Sequence, residues 1–233
     1  MRIAIMQPYL FPYIGYFQLI NSVDYFIVYD DVQYIKGGWI NRNRLLLNKE
    51  SHLFSFSVEQ GSLQLNINTR LYSQKIKTEK EKFIKTLQTG YKKAPYFNEV
   101  MDLIKKILNS TNYNVSSFNY IQLKEIANYI GIKTKFLISS ELKISTELTA
   151  EDRIISICKS LGADQYINPI GGRELYSKDI FLESGINLKF LRTRDITYQQ
   201  LGNEFVPFLS VIDVLMFNSK EEVLKILNEY EMI

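Results

Sequence analysis

An α/β fold, with a parallel sheet interrupted by an inserted helical subdomain, is predicted by three observations. Residues 2–6 (RIAIM), YFIVYDDVQY at 25–34, KTKFLIS at 133–139, DQYIN at 164–168 and NLKFL at 187–191 are β-branched or aromatic runs of strand length. Segments with apolar residues three or four apart separate most of them. Strand–helix–strand units of this length close as right-handed βαβ crossovers, so paired strands should run parallel. The alternation is Rossmann-like.

Taken in order, RIAIM leads into the loop QPYLFPY, and GYFQLINSV, with Tyr16/Phe17, Leu19/Ile20 and Val23, is a helix of about two turns. HLFSFSV at 52–58 reads as a strand, followed by a polar stretch over 59–77. Three helices are expected at about 78–89, 97–109 and 117–130, the last stopped by Gly131. They form the insertion, about 78–130, in one composite domain spanning 1–233. Thr149-Ala-Glu-Asp152 is a capping-box-like start for a helix carrying Ile154, Ile157, Cys158 and Leu161. A short helix around 180–183 stops at Gly185, and Ser210 and Ser219 start two more, with Asp213 read as a capping partner.

Composition sets limits on function. No apolar run approaches the roughly 18 residues of a membrane span, and the N-terminus, with two prolines and a glycine, is a poor secretory signal. The one cysteine excludes an internal disulfide, and no Cys/His cluster is present to hold zinc, which fits a reducing, cytoplasmic setting. With one histidine, His52, acid–base chemistry falls to Asp, Lys or Tyr. The net charge of +3 conceals an imbalance: residues 36–93 hold 12 Lys and Arg against 4 Asp and Glu, a local +8. That excess suits an anionic small molecule, since no nucleic-acid motif accompanies it. The KIKTEKEKFIKTLQ part also reads as a solvated helix face.

Candidate site residues follow from the strand ends, because ligands in open α/β sheets sit beyond the carboxyl ends of strands. Gln7 and Tyr9 follow the first strand, and Asp30, Asp31 and Gln33 end the second. Successive strand residues face opposite sides, so one acid is expected to enter the cleft, as a general base or a ligand for sugar hydroxyls. Lys36-Gly-Gly-Trp39-Ile-Asn41-Arg42 is the sharpest cluster: the glycines admit close approach, Trp39 offers a stacking face, Arg42 a bidentate anion clamp, and Lys36 a catalytic amine. A tight turn with a core Trp is the structural alternative. Asn168-Pro-Ile-Gly171-Gly172 is a second turn whose amides can face an anion, with Tyr176 closing over it. Gln7, one of the two acids and Arg42 are expected in one concave site, with segments 36–42 and 168–172 holding an anion together. Cys158 lies on an apolar stripe and reads as a core thiol.

The segment MQPYLFPYIGYFQLINSVDYFIVYDDVQYIKGGWINRNRL resembles the WbqC-like family, as do GYKKAPYF at 90–97, LGADQYINPIGGRELY at 161–176 and FVPFLSVIDVLMFN at 205–218. The resemblance implies a setting among O-antigen and capsule genes, often beside amino-sugar genes. A remoter likeness is to HIGH-type nucleotidyltransferases. There Tyr13-Ile14-Gly15-Tyr16 would occupy the H-x-G-H positions, with the glycine kept and both histidines replaced. Together these readings imply a transferase on a nucleotide- or lipid-linked amino sugar in surface-polysaccharide synthesis, transferring an acyl or aminoacyl group. A non-catalytic sugar-nucleotide-binding or scaffold protein, or a degenerate nucleotidyltransferase, is the alternative. The expected partner is a nucleotide sugar or another anionic small molecule. A homodimer stays open, and no cofactor or metal is indicated.

Overall fold

The computed structural model describes residues 1–62, 64–202 and 204–233. Strands β1 (Arg2–Met6) and β2 (Tyr25–Val28), joined by helix α1 (Ile14–Asn21), begin the sheet. A hairpin of β3 (Arg42–Leu47) and β4 (Glu50–Ser55) follows, then α2 (Ile76–Tyr91), α3 (Phe97–Leu108) and α4 (Val115–Ile130). The chain rejoins the sheet with β5 (Lys135–Ile138), α5 (Ala150–Ser160), β6 (Gln165–Pro169), α6 (Lys178–Glu183) and β7 (Asn187–Thr193). It ends with α7 (Val211–Phe217), α8 (Lys220–Ile226) and β8 (Tyr230–Met232).

The sheet order is β5-β2-β1-β6-β7-β8. All pairings are parallel except β7 with β8. Strands are therefore added outward in one direction up to β5 and in the other from β6 on. This is the Rossmann-like order, with its switch point between β1 and β6. The period-2 alternation of β1 divides the core in two. Ala4 faces a core with Phe26, Val28, α1, the inserted helices, α7 and α8, whereas Ile3 and Ile5 face one with Ile27, Tyr166, α5 and α6. Cys158 lies in the second core, where burial pushes its thiol up to about 12.

The expected helices are found within about two residues of their predicted bounds. Gly131 ends α4 at φ 100, and Ser219 with Glu222 forms a full capping box on α8. Three features differ from expectation. β2 stops at Val28, because Asp30 and Asp31 turn aside to bind side chains across the sheet edge. The hairpin was half read: β4 was expected but β3 was not, since RNRLLL does not alternate cleanly. Its tip, Asn48-Lys49, has φ 52 and 67, the doubly left-handed turn that fits the twist of a two-residue hairpin. Asp213 is not a capping partner: Ser210 caps Ile212, and Asp213 is fully buried elsewhere.

Candidate active site

The loop between β1 and α1 is a fixed wall, held by buried amide side chains. Asn119 of α4 donates to the carbonyls of Pro8 (2.8 Å) and Ile40 (2.7 Å), and Gln122, one turn on, donates to Tyr9 (2.8 Å). Asn43 of β3 donates to Leu10 and Phe11 at 3.0 and 2.9 Å. Buried carbonyls need such partners, and here they set the rings of Tyr9 and Tyr13 at the carboxyl edge of the sheet. Gly15 brings the start of α1 against β7. A Cβ there would stand 2.6 Å from Thr193 Oγ1 and 2.4 Å from Tyr13 Cε2, so any larger residue displaces the Tyr13 ring.

Two adjoining cavities open on this edge. One, of about 270 Å³, is enclosed by Tyr9, Pro12, Tyr13, Trp39, Asn43 and Phe208. The other, of about 290 Å³, shares Tyr13 and Phe208 and is walled by Thr193, Arg194, Asp195, Tyr198 and Phe205 among others. Phe208 is 76% exposed and sits at φ 58, a backbone region costing a non-glycine residue on the order of 1–3 kcal/mol. The guanidinium carbons of Arg42 and Arg44 lie 5.7 and 5.6 Å from the Trp39 ring centroid. Burial pushes the Tyr9 and Tyr13 phenols above their ordinary range, so both are protonated donors at neutral pH.

The expected site residues are distributed as follows. Tyr9, Tyr13 and Trp39 come together, with Gly15 behind them. Gln7 is half-buried, and its backbone carbonyl accepts from the Tyr16 hydroxyl (2.7 Å), which leaves Tyr13 as the outward-facing member of the pair at the H-x-G-H positions. Lys36, Asn41 and Arg42 line a separate cleft of about 600 Å³ with Glu59, Gly61 and Arg70. Asn41 is held by Tyr34 and Phe56, and Arg42 folds back onto the carbonyls of Gly38 (3.1 Å) and Gly37. Gln33 is exposed and bridges to Asn66.

Asp30 and Asp31 line none of these clefts. Asp30 accepts from the Ser139 and Ser140 hydroxyls (both 3.0 Å), the Ser140 amide (3.1 Å) and Ser116 (3.4 Å). Asp31 pairs with Arg153, whose guanidinium also lies 5.0 Å over the Tyr29 ring. The two acids share the Ser139 hydroxyl, and since β2 ends at Val28 strand alternation does not set their directions; both join β2 to the segment after β5, and Asp31 also joins it to α5. The second glycine turn follows β6 and lies in a 3-10 turn over Ile170–Leu175. Asn168 is buried against Gly172, where a Cβ would stand 2.2 Å from its Nδ2, and Gly171 is open. Tyr176 packs on Tyr166 and Phe181 in the core on the α5–α6 side of the sheet.

The sequence reading missed Asp195, Phe208, Asn43, Asn119 and Gln122. Asp195 follows β7 as Asp30 follows β2, and the strand-end rule that flagged Asp30 applies to it equally. The inward amides of α4 sit among apolar positions, a visible signal that structure alone interprets. Among the described residues no three His, Cys, Asp or Glu side chains cluster as a metal site. No helix among them is long and apolar enough to cross a membrane.

Residues 7–225 match the WbqC-like protein family. The chain is also 31% identical over 223 residues to "Uncharacterized protein Rv1507c" of Mycobacterium tuberculosis (strain ATCC 25618 / H37Rv), covering 93% of each chain. No solved structure matches. The match takes in the β1–α1 loop, the Trp39 turn and the Phe208 loop alike, and the chain belongs to the WbqC-like protein family.

Proposed function

We propose that the chain is a transferase that binds a nucleotide- or lipid-linked amino sugar in surface-polysaccharide synthesis. The sugar sits between Tyr9, Tyr13, Trp39 and Phe208. The ring quartet at the carboxyl edge carries this reading, because sugar faces present C–H groups that pack on aromatic rings while their hydroxyls need donors at the rim. Arg42 and Arg44 beside Trp39 supply cations for the diphosphate that links such a sugar to its carrier. Asp195, in the adjoining cavity, is the carboxylate placed to take a proton from the sugar amine or hydroxyl as it attacks the carbonyl carbon of an activated acyl donor. The bond of that acyl group to its carrier breaks, and the carrier leaves with the electron pair. In this reading Asp30 and Asp31 are framework, and Lys36 serves the neighbouring cleft.

A specific observation keeps a binding-only protein in view: Asp195 has no hydrogen-bonding partner among the described residues to orient it. Asp195→Asn separates the two readings. A transferase keeps sugar-nucleotide affinity by calorimetry and loses turnover by roughly 100-fold or more, the usual worth of a general base. A binding-only protein shows no product by mass spectrometry with either chain. Calorimetry that detects no affinity for any nucleotide-linked sugar refutes both.

A further inference from the structure

A broad concavity lies away from the aromatic edge, between the β3–β4 turn and α2. It measures about 770 Å³ and is lined by Lys49, Lys82, Lys85 and Lys93, with no carboxylate among the described lining residues. We propose that this cleft is a second ligand site, which takes a diphosphate-class anion.

The charge is concentrated by helix geometry. Lys82, Lys85, Thr89 and Lys93 recur at three- and four-residue steps, so they fall on one stripe of α2 and its C-terminal extension. The acids of α2 are elsewhere. Glu79 accepts from the Ser57 amide at 2.8 Å, and Glu81 is not in the lining. None of the four ammonium groups has an ion pair, hydrogen bond or aromatic partner among the described residues. By contrast, Lys80 on the same helix donates to Leu108 and Ser110. Four unneutralised cations in one concavity repel each other and focus a positive potential into it, which an entering anion relieves.

The fourth lysine is placed by backbone constraint. Lys49 holds φ 67 at the hairpin position where glycine is favoured, and its stem runs along Gly202, where a Cβ would stand 3.5 Å from Lys49 Cγ. The hairpin is drawn onto α2 at Gly90, where a Cβ would stand 2.4 Å from Leu47 Cδ2. The cleft thus accounts for part of the charge excess of residues 36–93. Its described lining has no aromatic ring on which a nucleic-acid base would stack. Lysines, as mobile point charges, suit a compact anion with several oxygens.

Pyrophosphate is the probe, titrated calorimetrically into the full chain at 50 and 200 mM salt. The expected result is binding at low salt with a component lost in K82A/K85A, apart from any at the Arg42–Arg44 edge, and it weakens at high salt, where the screening length is shorter. K82A/K85A should weaken that component by roughly tenfold or more, equivalent to about 1.4 kcal/mol, with an unchanged melting temperature. Arg44→Ala should leave the component lost in K82A/K85A unaltered. Uridine diphosphate and geranyl diphosphate distinguish the source: a nucleotide-borne diphosphate predicts tighter binding of the former, a lipid-borne one of the latter. Absence of binding at 50 mM salt overturns the assignment. So does binding that survives K82A/K85A but is lost with Arg44→Ala, because the anion then sits at the aromatic edge.

Discussion

Asp31→Ala is the substitution that most sharply separates framework from chemistry. The Asp31 and Arg153 side chains are 10% and 4% exposed, so the pair is desolvated. Removing one partner of a buried pair costs about 3–5 kcal/mol, chiefly because the other charge is left stranded. Arg153 would keep the Tyr29 ring face at 5.0 Å and its contact with the Asp31 carbonyl, which argues for the lower end, about 3 kcal/mol. For a chain of this length that is a fall in melting temperature of roughly 6–12 °C. Urea titration followed by far-UV circular dichroism measures it as a lower midpoint at constant slope. Adding Arg153→Met should recover part of the loss, since the stranded charge is then gone. The reasoning fails if Asp31→Ala melts within about 2 °C of the parent yet abolishes turnover, for then Asp31 acts in chemistry and not in folding.

Further substitutions probe other parts of the account. Gly15→Ala places a Cβ 2.4 Å from the Tyr13 ring; overpacking should cost about 1–3 kcal/mol in chemical denaturation and weaken sugar-nucleotide binding as the ring shifts. Asp213 accepts from Tyr91, Tyr198 and Gln200 at 2.9, 2.6 and 2.8 Å with no cation beside it, and burial raises its pKa above the unfolded value. The folded state therefore binds its proton more tightly. The contribution of Asp213 is most favourable below the unfolded pKa and declines as pH rises through the folded one. Stability of the parent relative to Asp213→Asn should accordingly increase as pH is lowered from 7 towards 4; a flat or opposite difference contradicts the assignment. Cys158, fully buried with its thiol pushed up to about 12, should react with a thiol reagent only as fast as the chain opens, and labelling within seconds in native buffer would place it at the surface.

Much of the framework was legible because it is written in local periodicity. RIAIM and YFIV announce parallel strands, Gly131 the left-handed end of α4, and Ser219 with Glu222 a capping box. The aromatic edge was half legible: Tyr9, Tyr13 and Trp39 stand beside loop residues and glycines, whereas Phe208 reaches them only through the tertiary fold. Illegible features depended on distant partners. Nothing near Asp30 in sequence reveals that Ser139 and Ser140, more than a hundred residues on, would occupy its oxygens. The adjacent acids looked like a cleft base for the same reason that makes them good cross-sheet ties: both sit at a strand end with free oxygens. Asp213, three residues into a helix, likewise carried a capping signature that Tyr91 and Tyr198 pre-empt.

Trp39 is the only tryptophan of the chain, which makes the aromatic edge directly observable. Its emission should change saturably as a nucleotide-linked amino sugar is titrated in, because a ring 39% exposed and flanked by two guanidinium groups becomes covered. Tyr13→Ala and Phe208→Ala should each weaken the apparent affinity by about tenfold, the worth of one lost stacking face. Emission that stays constant while calorimetry reports binding of the same ligand would contradict the account, since the sugar nucleotide would then bind away from Tyr9, Tyr13, Trp39 and Phe208.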